Sequence, residues 1–344
     1  MRVHQPGGQM MQQRSDAVAD WSWGQTRRRL GLLWRLSLRY EPAGAGPATA
    51  ILKLPTTMPE SRHIADGFRF YLREVRFYEE VATRTPLGTA ACYHASFDAG
   101  TGDFVLLLED LAGRTVYDQL AGCPPEAAEE VVRAMAVHHA AWWEDEELAA
   151  RDWTFRVCDP PNPQALVPAL EASWPVIEAN FAHVLRGPMG DVASRMSTLV
   201  VPLMERLSEP PVTLLQGDTR LDNLFFDEHL AVTAVDWQIC GLGRSPYDIA
   251  YFLSQSLRPE VRKATEHYLL AVYHDTLVAS GVKGYSFEEC WDDYRLATLL
   301  VSIYPLSAGS VDLVNERAVE LFTTMLDRSV CAILDLDALE LLPD

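Results

Sequence analysis

A chain of 344 residues, 48% of them hydrophobic, has material for one large core or for two lobes. Its 48 acidic residues against 29 basic ones give a formal net charge of −19. That balance argues against a general binder of nucleic acid or of anionic membrane, and it leaves room for a cationic substrate.

The opening "MRVHQPGGQMMQQRSD" has no apolar core of a secretory signal. No apolar run of about eighteen residues follows, so neither a transmembrane helix nor membrane insertion is expected. Cys92, Cys123, Cys158, Cys240, Cys290 and Cys331 form no CxxC pair and no zinc spacing. They read as reduced thiols, and the expected compartment is the cytoplasm. His138 and His139 fall mid-helix beside apolar residues, which suits helix packing better than a metal site. Oligomeric state is left open.

Along the chain, residues 1–29 carry Gln and Arg without clear periodicity and are expected to be poorly ordered. Alternation in "WRLSLRY" (34–40) and "ATAILKL" (48–54) predicts two strands, with turn chemistry in "EPAGAGP" between them. A helical pattern runs from Ile64 to about Ala82, followed by strands near 91–97 and 104–109. Beyond Leu111 long helical patterns dominate, at about 125–147, 164–185, 190–208, 246–257, 259–280, 287–303 and 313–330. The exception is 212–236, which reads as three short strands around a polar segment. The expected fold class is α+β and bilobal: a small β-rich N-lobe over 30–111 and a large, mostly helical C-lobe over 112–344.

Chemistry enters at Lys53, which stands between Ile51, Leu52 and Leu54 in a strand. An unpaired ammonium is costly to bury, so it needs an anionic partner or must snorkel to water. Glu74 in "YLREVRFYEEV" can point back toward that strand. In "LLQGDTRLDNLFF" Asp218 and Asn223 lie five residues apart between apolar strands. This is the spacing of a kinase catalytic loop, in which an Asp takes the acceptor proton and an Asn holds magnesium. Asp236 ends the apolar strand "AVTAVD", where a second hard-oxygen ligand is needed.

In that order these segments resemble the aminoglycoside phosphotransferase-like kinases, and within them the ecdysteroid- and choline-kinase-like group. The resemblance runs from about Leu30 to the C-terminus. It is carried by "AILKLP", "REVRFYEE", "FVLLLEDL", "QGDTRLDNLFF", "AVDWQICGLGRSPYDIAYFLSQSL" and "GYSFEECWDDYRL". It implies a protein-kinase-like fold, ATP and Mg²⁺ as cofactors, and phosphoryl transfer to a hydroxyl of a small molecule. By resemblance Lys53 would hold the α- and β-phosphates with Glu74 orienting it, and backbone groups of Glu109, Asp110 and Leu111 would bind adenine. Asp218 would be the base, Arg220 the cation against the transferring phosphate, and Asn223 and Asp236 the metal ligands. Asp248 would tie down the loop backbone, a structural role. Gln238 and Arg244 read equally as cleft or surface residues.

Two departures stand out. Gln216 occupies the place where the family usually has His before Gly-Asp; Gln still offers a donor and an acceptor. The segment that should cover the phosphates, "WSWGQTRRRLG", has only Gly24 and Gly31 at plausible positions. "PAGAGP" reads as a turn pointing away from the phosphates. The acidic "WWEDEE" run at 142–147 reads as solvated charge at a helix end in preference to a seat for a cationic antibiotic. Trp291 and Tyr294 fit a core face as well as an acceptor site. The leading expectation is an ATP-dependent small-molecule O-kinase; the alternative is a non-catalytic nucleotide-binding relative.

Overall fold

Alternating apolar residues in "GLLWRLSLRY" and "TAILKLP" build adjacent strands of one antiparallel sheet, seen here in a computed structural model. The structure describes residues 18–28, 31–42, 44–307 and 315–342. The segment 1–17, expected to be poorly ordered, lies outside the described residues. The chain packs as two compact units: Met1–Thr83 with Thr89–Ala112, and Arg84–Gly88 with Gly113–Asp344.

In the first unit the sheet comprises β1 (Val18–Arg28), β2 (Gly31–Tyr40), β3 (Thr49–Pro55), β4 (Cys92–Phe97) and β5 (Phe104–Glu109). Their order is β1-β2-β3-β5-β4, every pair antiparallel. β1 falls within the stretch read from sequence as lacking regular structure. Its period-two signal, Trp21 and Trp23 about Ser22, is short, and β1 pairs with β2 alone.

Between β3 and β4 lie two helices, α1 (Pro59–Gly67) and α2 (Phe70–Glu80), where the sequence predicts one from Ile64 to Ala82. The break is Arg69, a left-handed residue at φ 56°. Its amide turns back to Asp66 O, and the chain restarts in a new direction. A non-glycine residue in this conformation gives no local sequence signal. The restart buries Tyr71, Glu74, Val75, Phe77 and Tyr78 on α2.

The second unit is helical: α3 (Pro125–Ala141), α4 (Glu146–Ala149), α5 (Asn162–Phe181), α6 (Met189–Ser194), α7 (Met196–Arg206), α8 (Pro246–Ser256), α9 (Pro259–Ala279), α10 (Phe287–Val301), α11 (Ile303–Leu306) and α12 (Glu316–Asp335). All residues of α8 are buried, so it sits among the other helices with no face left to water. Four three-residue strands lie between α7 and α8. β6 (Thr213–Leu215) pairs with β9 (Gly241–Gly243), and β7 (Leu224–Phe226) pairs with β8 (Val232–Ala234). The polar segment 216–223 thus leaves one short ladder and enters another.

Candidate active site

In the first unit Lys53 sits on β3 opposite Leu33 of β2. Its ammonium reaches Glu74 on α2 at 2.8 Å to Oε1 and 2.6 Å to Oε2. Both side chains are buried, at 7% and 1% exposure, so the pairing answers the burial problem that the sequence raised. Gly31 lies over this lysine: a Cβ there would stand 3.3 Å from Leu54 O and 3.6 Å from Lys53 Cε. Gly24 is placed elsewhere, in mid-β1 opposite Arg35, so only Gly31 flanks the β1–β2 turn. The "PAGAGP" turn is at the other end of the β2–β3 ladder, since Ser37 pairs with Thr49 there. Asp110 takes Arg35 at 2.9 and 3.0 Å. The amide of Glu109 donates to Ala91 O at 2.8 Å, so that group is already engaged within the sheet.

In the second unit the loop 216–223 is bonded at nearly every polar group. Gly217 has φ 86°, and a Cβ there would come within 2.5 Å of Ile239 O, which restricts the position to glycine. Asp218 is 9% exposed. Its carboxylate accepts from Asn223 Nδ2 at 2.7 Å and from Arg220 Nε at 3.2 Å, and the Tyr251 hydroxyl also bonds it. Arg220 bridges on to Asp222 at 2.7 Å. Burial raises the Asp218 pKa above the ordinary carboxylate value; Asp236 adds to the rise, while Arg220, Tyr251 and Asn223 oppose it. Asp236 follows β8 in the left-handed region, at φ 64° and ψ 63°. Val235 N donates to Asn223 O at 3.0 Å, which fixes the strand end beside the loop.

Asp248, at the start of α8, accepts the amides of Gln216 at 2.7 Å and Gly217 at 2.9 Å, the loop-tying role that the resemblance implies. Burial alone would raise its pKa, but the bond from His139 and the two amides outweigh it and hold the carboxyl below its ordinary value. Three residues to which the sequence assigns no part in the loop complete the anchorage; of these, His139 reads from sequence as a helix-packing residue. His139 on α3 meets Asp248 at 3.1 Å and the Tyr273 hydroxyl at 2.7 Å. Gln119 accepts Leu221 N at 2.9 Å. Tyr304 donates to Gly217 O at 3.0 Å while its ring stacks on Tyr251 at 4.3 Å. No local motif marks these residues; each lies 87 or more positions from its partner at the loop or on Asp248.

Other residues weighed in the sequence lie apart from this network. Arg244 bonds Asp293 at 2.9 Å and Pro210 O at 2.9 Å. Tyr294 is fully buried against Glu266, a core position. Trp291 packs on His267 and Phe287. In the acidic run, Asp145 caps α4 through Leu148 N and Glu144 accepts Val212 N from a distant segment, so two of its carboxylates serve backbone amides.

Among the described residues no group of three or more His, Cys, Asp or Glu side chains gathers as a metal site would. Magnesium commonly needs fewer, with one or two protein oxygens completed by phosphate and water. Asp236 lies close enough to Asp218 to raise its pKa, and Asn223 adds an amide oxygen. This donor set fits such a hard cation.

Several solved structures share the fold along nearly the whole chain. A protein from Ralstonia eutropha JMP134 described as an aminoglycoside phosphotransferase matches at TM-score 0.59 and 15% identity, over 98% of this chain and 97% of that one. An APH(2")-IIIa structure with GDP and kanamycin matches at 0.56 and 10%, over 93% and 96%. An APH(2")-IIa complex with gentamicin matches at 0.51 and 12%, over 95% and 99%. At these identities the likeness is one of fold, and it establishes a protein-kinase-like α+β architecture. No curated protein matches the sequence. A family model does, over residues 30–283, and the chain belongs to the ecdysteroid kinase-like family.

Proposed function

We propose that this chain is an ATP-dependent kinase that moves the γ-phosphoryl group to a hydroxyl of a small metabolite or antibiotic. The observation that carries the reading is the Asp218 carboxylate, buried and held by Asn223 and Arg220 on a loop whose backbone is bonded to Asp248, Gln119 and Tyr304. Phosphoryl transfer is mainly positioning and charge neutralisation, and a fixed carboxylate of this kind is what it requires.

In this reading Asp218 orients the acceptor hydroxyl and takes its proton as the new O–P bond forms and the bond from the γ-phosphorus to the bridging oxygen breaks, releasing ADP. Arg220, already beside Asp218, turns its guanidinium to the transferring phosphoryl oxygens, where charge-assisted bonds strengthen as charge develops. Lys53, held in place by Glu74, binds the α- and β-phosphates, with Gly31 leaving room above it. Asn223 and Asp236 would hold Mg²⁺, which when bound neutralises phosphate charge. The neighbours' kanamycin and gentamicin are hydroxylated cations, and an acceptor of that class suits a chain of net charge −19.

A second reading, a nucleotide-binding relative without transfer, draws on the single glycine at the β1–β2 turn. It draws nothing from Gln216, whose hydrogen-bonding groups are engaged. The two readings separate when purified protein is incubated with MgATP and a library of hydroxylated metabolites and aminoglycosides, and products are weighed. A gain of one phosphate that disappears in Asp218→Asn supports the kinase. MgATP binding without any phosphate gain, and ATP hydrolysis equal in wild type and Asp218→Asn, would leave only the second reading.

A further inference from the structure

Outside the catalytic loop, one cavity of about 440 Å³ opens in the second unit where α9 begins. His183, Arg186, Arg258, Glu260, Asp327 and Arg328 supply its charged and titratable lining. Three arginines and two acidic residues therefore line it, which reverses locally the sign of a chain with net charge −19.

Arg328 makes this more than a surface dent. It is 3% exposed, and among the described residues no carboxylate lies within ion-pair distance of it. Its partners are neutral backbone carbonyls: Nη1 donates to Gln119 O at 2.7 Å, Gln255 O at 3.1 Å and Ser256 O at 3.3 Å, and Nη2 to Leu120 O at 2.6 Å. These bonds use both Nη atoms and not Nε. Burial lowers its pKa and the Arg258 cation adds to the fall, while Glu260 and Asp118 oppose it from beyond ion-pair distance. A buried charge without a contacting opposite partner is costly, and an anion entering the cavity supplies one.

The rest of the lining supports the same chemistry. Arg258 is the N-cap residue of a helix of 21 residues, whose first amides carry the positive end of the backbone dipole. Its side chain is 60% exposed and touches Glu260 only at 3.6 Å. Arg186 engages Asp327, which orients its guanidinium at the cavity wall. Planar guanidinium groups recognise phosphate oxygens in pairs, and the volume exceeds that of one inorganic phosphate.

We propose that this cavity binds a small molecule carrying two or more phosphate groups, separately from the Lys53 and Asp218 sites. The site has a route to the catalytic loop: Arg328 bonds the Gln119 backbone, and the Gln119 side chain accepts Leu221 N at 2.9 Å.

Pyrophosphate is the probe. Calorimetric titration of the full chain, in EDTA and at matched ionic strength, would compare wild type, Arg186→Ala/Arg258→Ala, Arg258→Glu and Lys53→Ala. The Arg186 and Arg258 side chains are 50% and 60% exposed, so the cavity variants should stay folded; the melting temperature checks this, and checks that Lys53→Ala, which strands the buried Glu74, is titrated below its own transition. Saturable binding is expected in wild type and Lys53→Ala, weakened at least tenfold in both cavity variants. Loss in Lys53→Ala with retention in the cavity variants would assign the binding to the nucleotide site and overturn the proposal. So would heat that chloride at the same ionic strength abolishes, or no saturation in wild type.

Discussion

The side-chain carbonyl of Gln216 accepts the amide of Asp218 at 2.8 Å, while its NH₂ group donates to the carbonyls of Val235 at 3.0 Å and Asp236 at 3.2 Å. One side chain thus links the segment carrying the candidate base to the one carrying a candidate metal ligand. Gln216→Leu leaves those groups buried without that partner, at a cost of about 1–3 kcal/mol for each unsatisfied group. The expected result is a lower melting temperature together with slower phosphoryl transfer or ATP hydrolysis. Gln216→His, with one donor and one acceptor, should recover much of both. A Leu variant that melts and reacts like wild type would remove Gln216 from the machinery.

The acid limb of activity should report Asp218. Its pKa is raised, chiefly by burial, so the base loses its proton above the ordinary carboxylate range of about 3.9. Arg220 opposes the rise, so Arg220→Met should move the limb to higher pH as well as lower the rate. A pH profile of kcat/KM shows both. A limb that moves to lower pH in the variant contradicts the charge arrangement described.

Tyr304 offers a finer test. Its hydroxyl donates to Gly217 O and meets the Tyr247 hydroxyl at 2.7 Å. Tyr304→Phe keeps the ring stacked on Tyr251 and removes only these bonds. We expect a loss of about 1 kcal/mol in stability, with kcat falling more than nucleotide affinity changes. Equal kcat in the variant would make the hydroxyl a bystander.

His138 sets an acid sensitivity of the fold. Burial first, and the neighbouring His139 next, push its pKa down to about 3. The unfolded chain takes up a proton near pH 6.5 that the folded chain refuses, so this stability is full above that value and is lost as pH falls toward 3. At pH 5 the loss is about 2 kcal/mol relative to neutral pH. Urea unfolding of His138→Gln at pH 7 and pH 5 should show a smaller difference than wild type. An equal difference would place the acid sensitivity elsewhere.

Lys53→Met strands Glu74, and removing one partner of a buried pair destabilises by about 3–5 kcal/mol. The double variant Lys53→Met/Glu74→Leu should regain much of that stability, yet it should show no MgATP-induced rise in melting temperature. Wild type should show such a rise by mass action. A double variant still stabilised by MgATP would show that the lysine does not serve nucleotide binding.

Much of the fold and part of this site are legible in the chain itself. Lys53 announces itself because a charge amid Ile51, Leu52 and Leu54 demands a partner, and Glu74 lies within helical reach. Asp218, Asn223 and Asp236 stand out because polar residues interrupt apolar strands at fixed spacing. His139, Gln119 and Tyr304 do not, since only the tertiary fold brings them to the loop or to Asp248. Sequence periodicity merges α1 with α2 because Arg69 turns the chain in a conformation usually associated with glycine. Gly24 lies in mid-strand, away from any phosphate-covering turn, because the ladder with β2 extends further back than the weak alternation there suggests.

The loop's anchorage also bears on how the molecule assembles. Gln119 and Leu221 are 102 residues apart, His139 and Asp248 are 109 apart, and Gly217 and Tyr304 are 87 apart. None of these bonds can form until distant stretches of chain have met, and closing such long spans is slow compared with coiling a helix. During refolding, helical ellipticity should therefore return well before the loop is set, leaving a period in which the second unit is largely coiled and chemically silent.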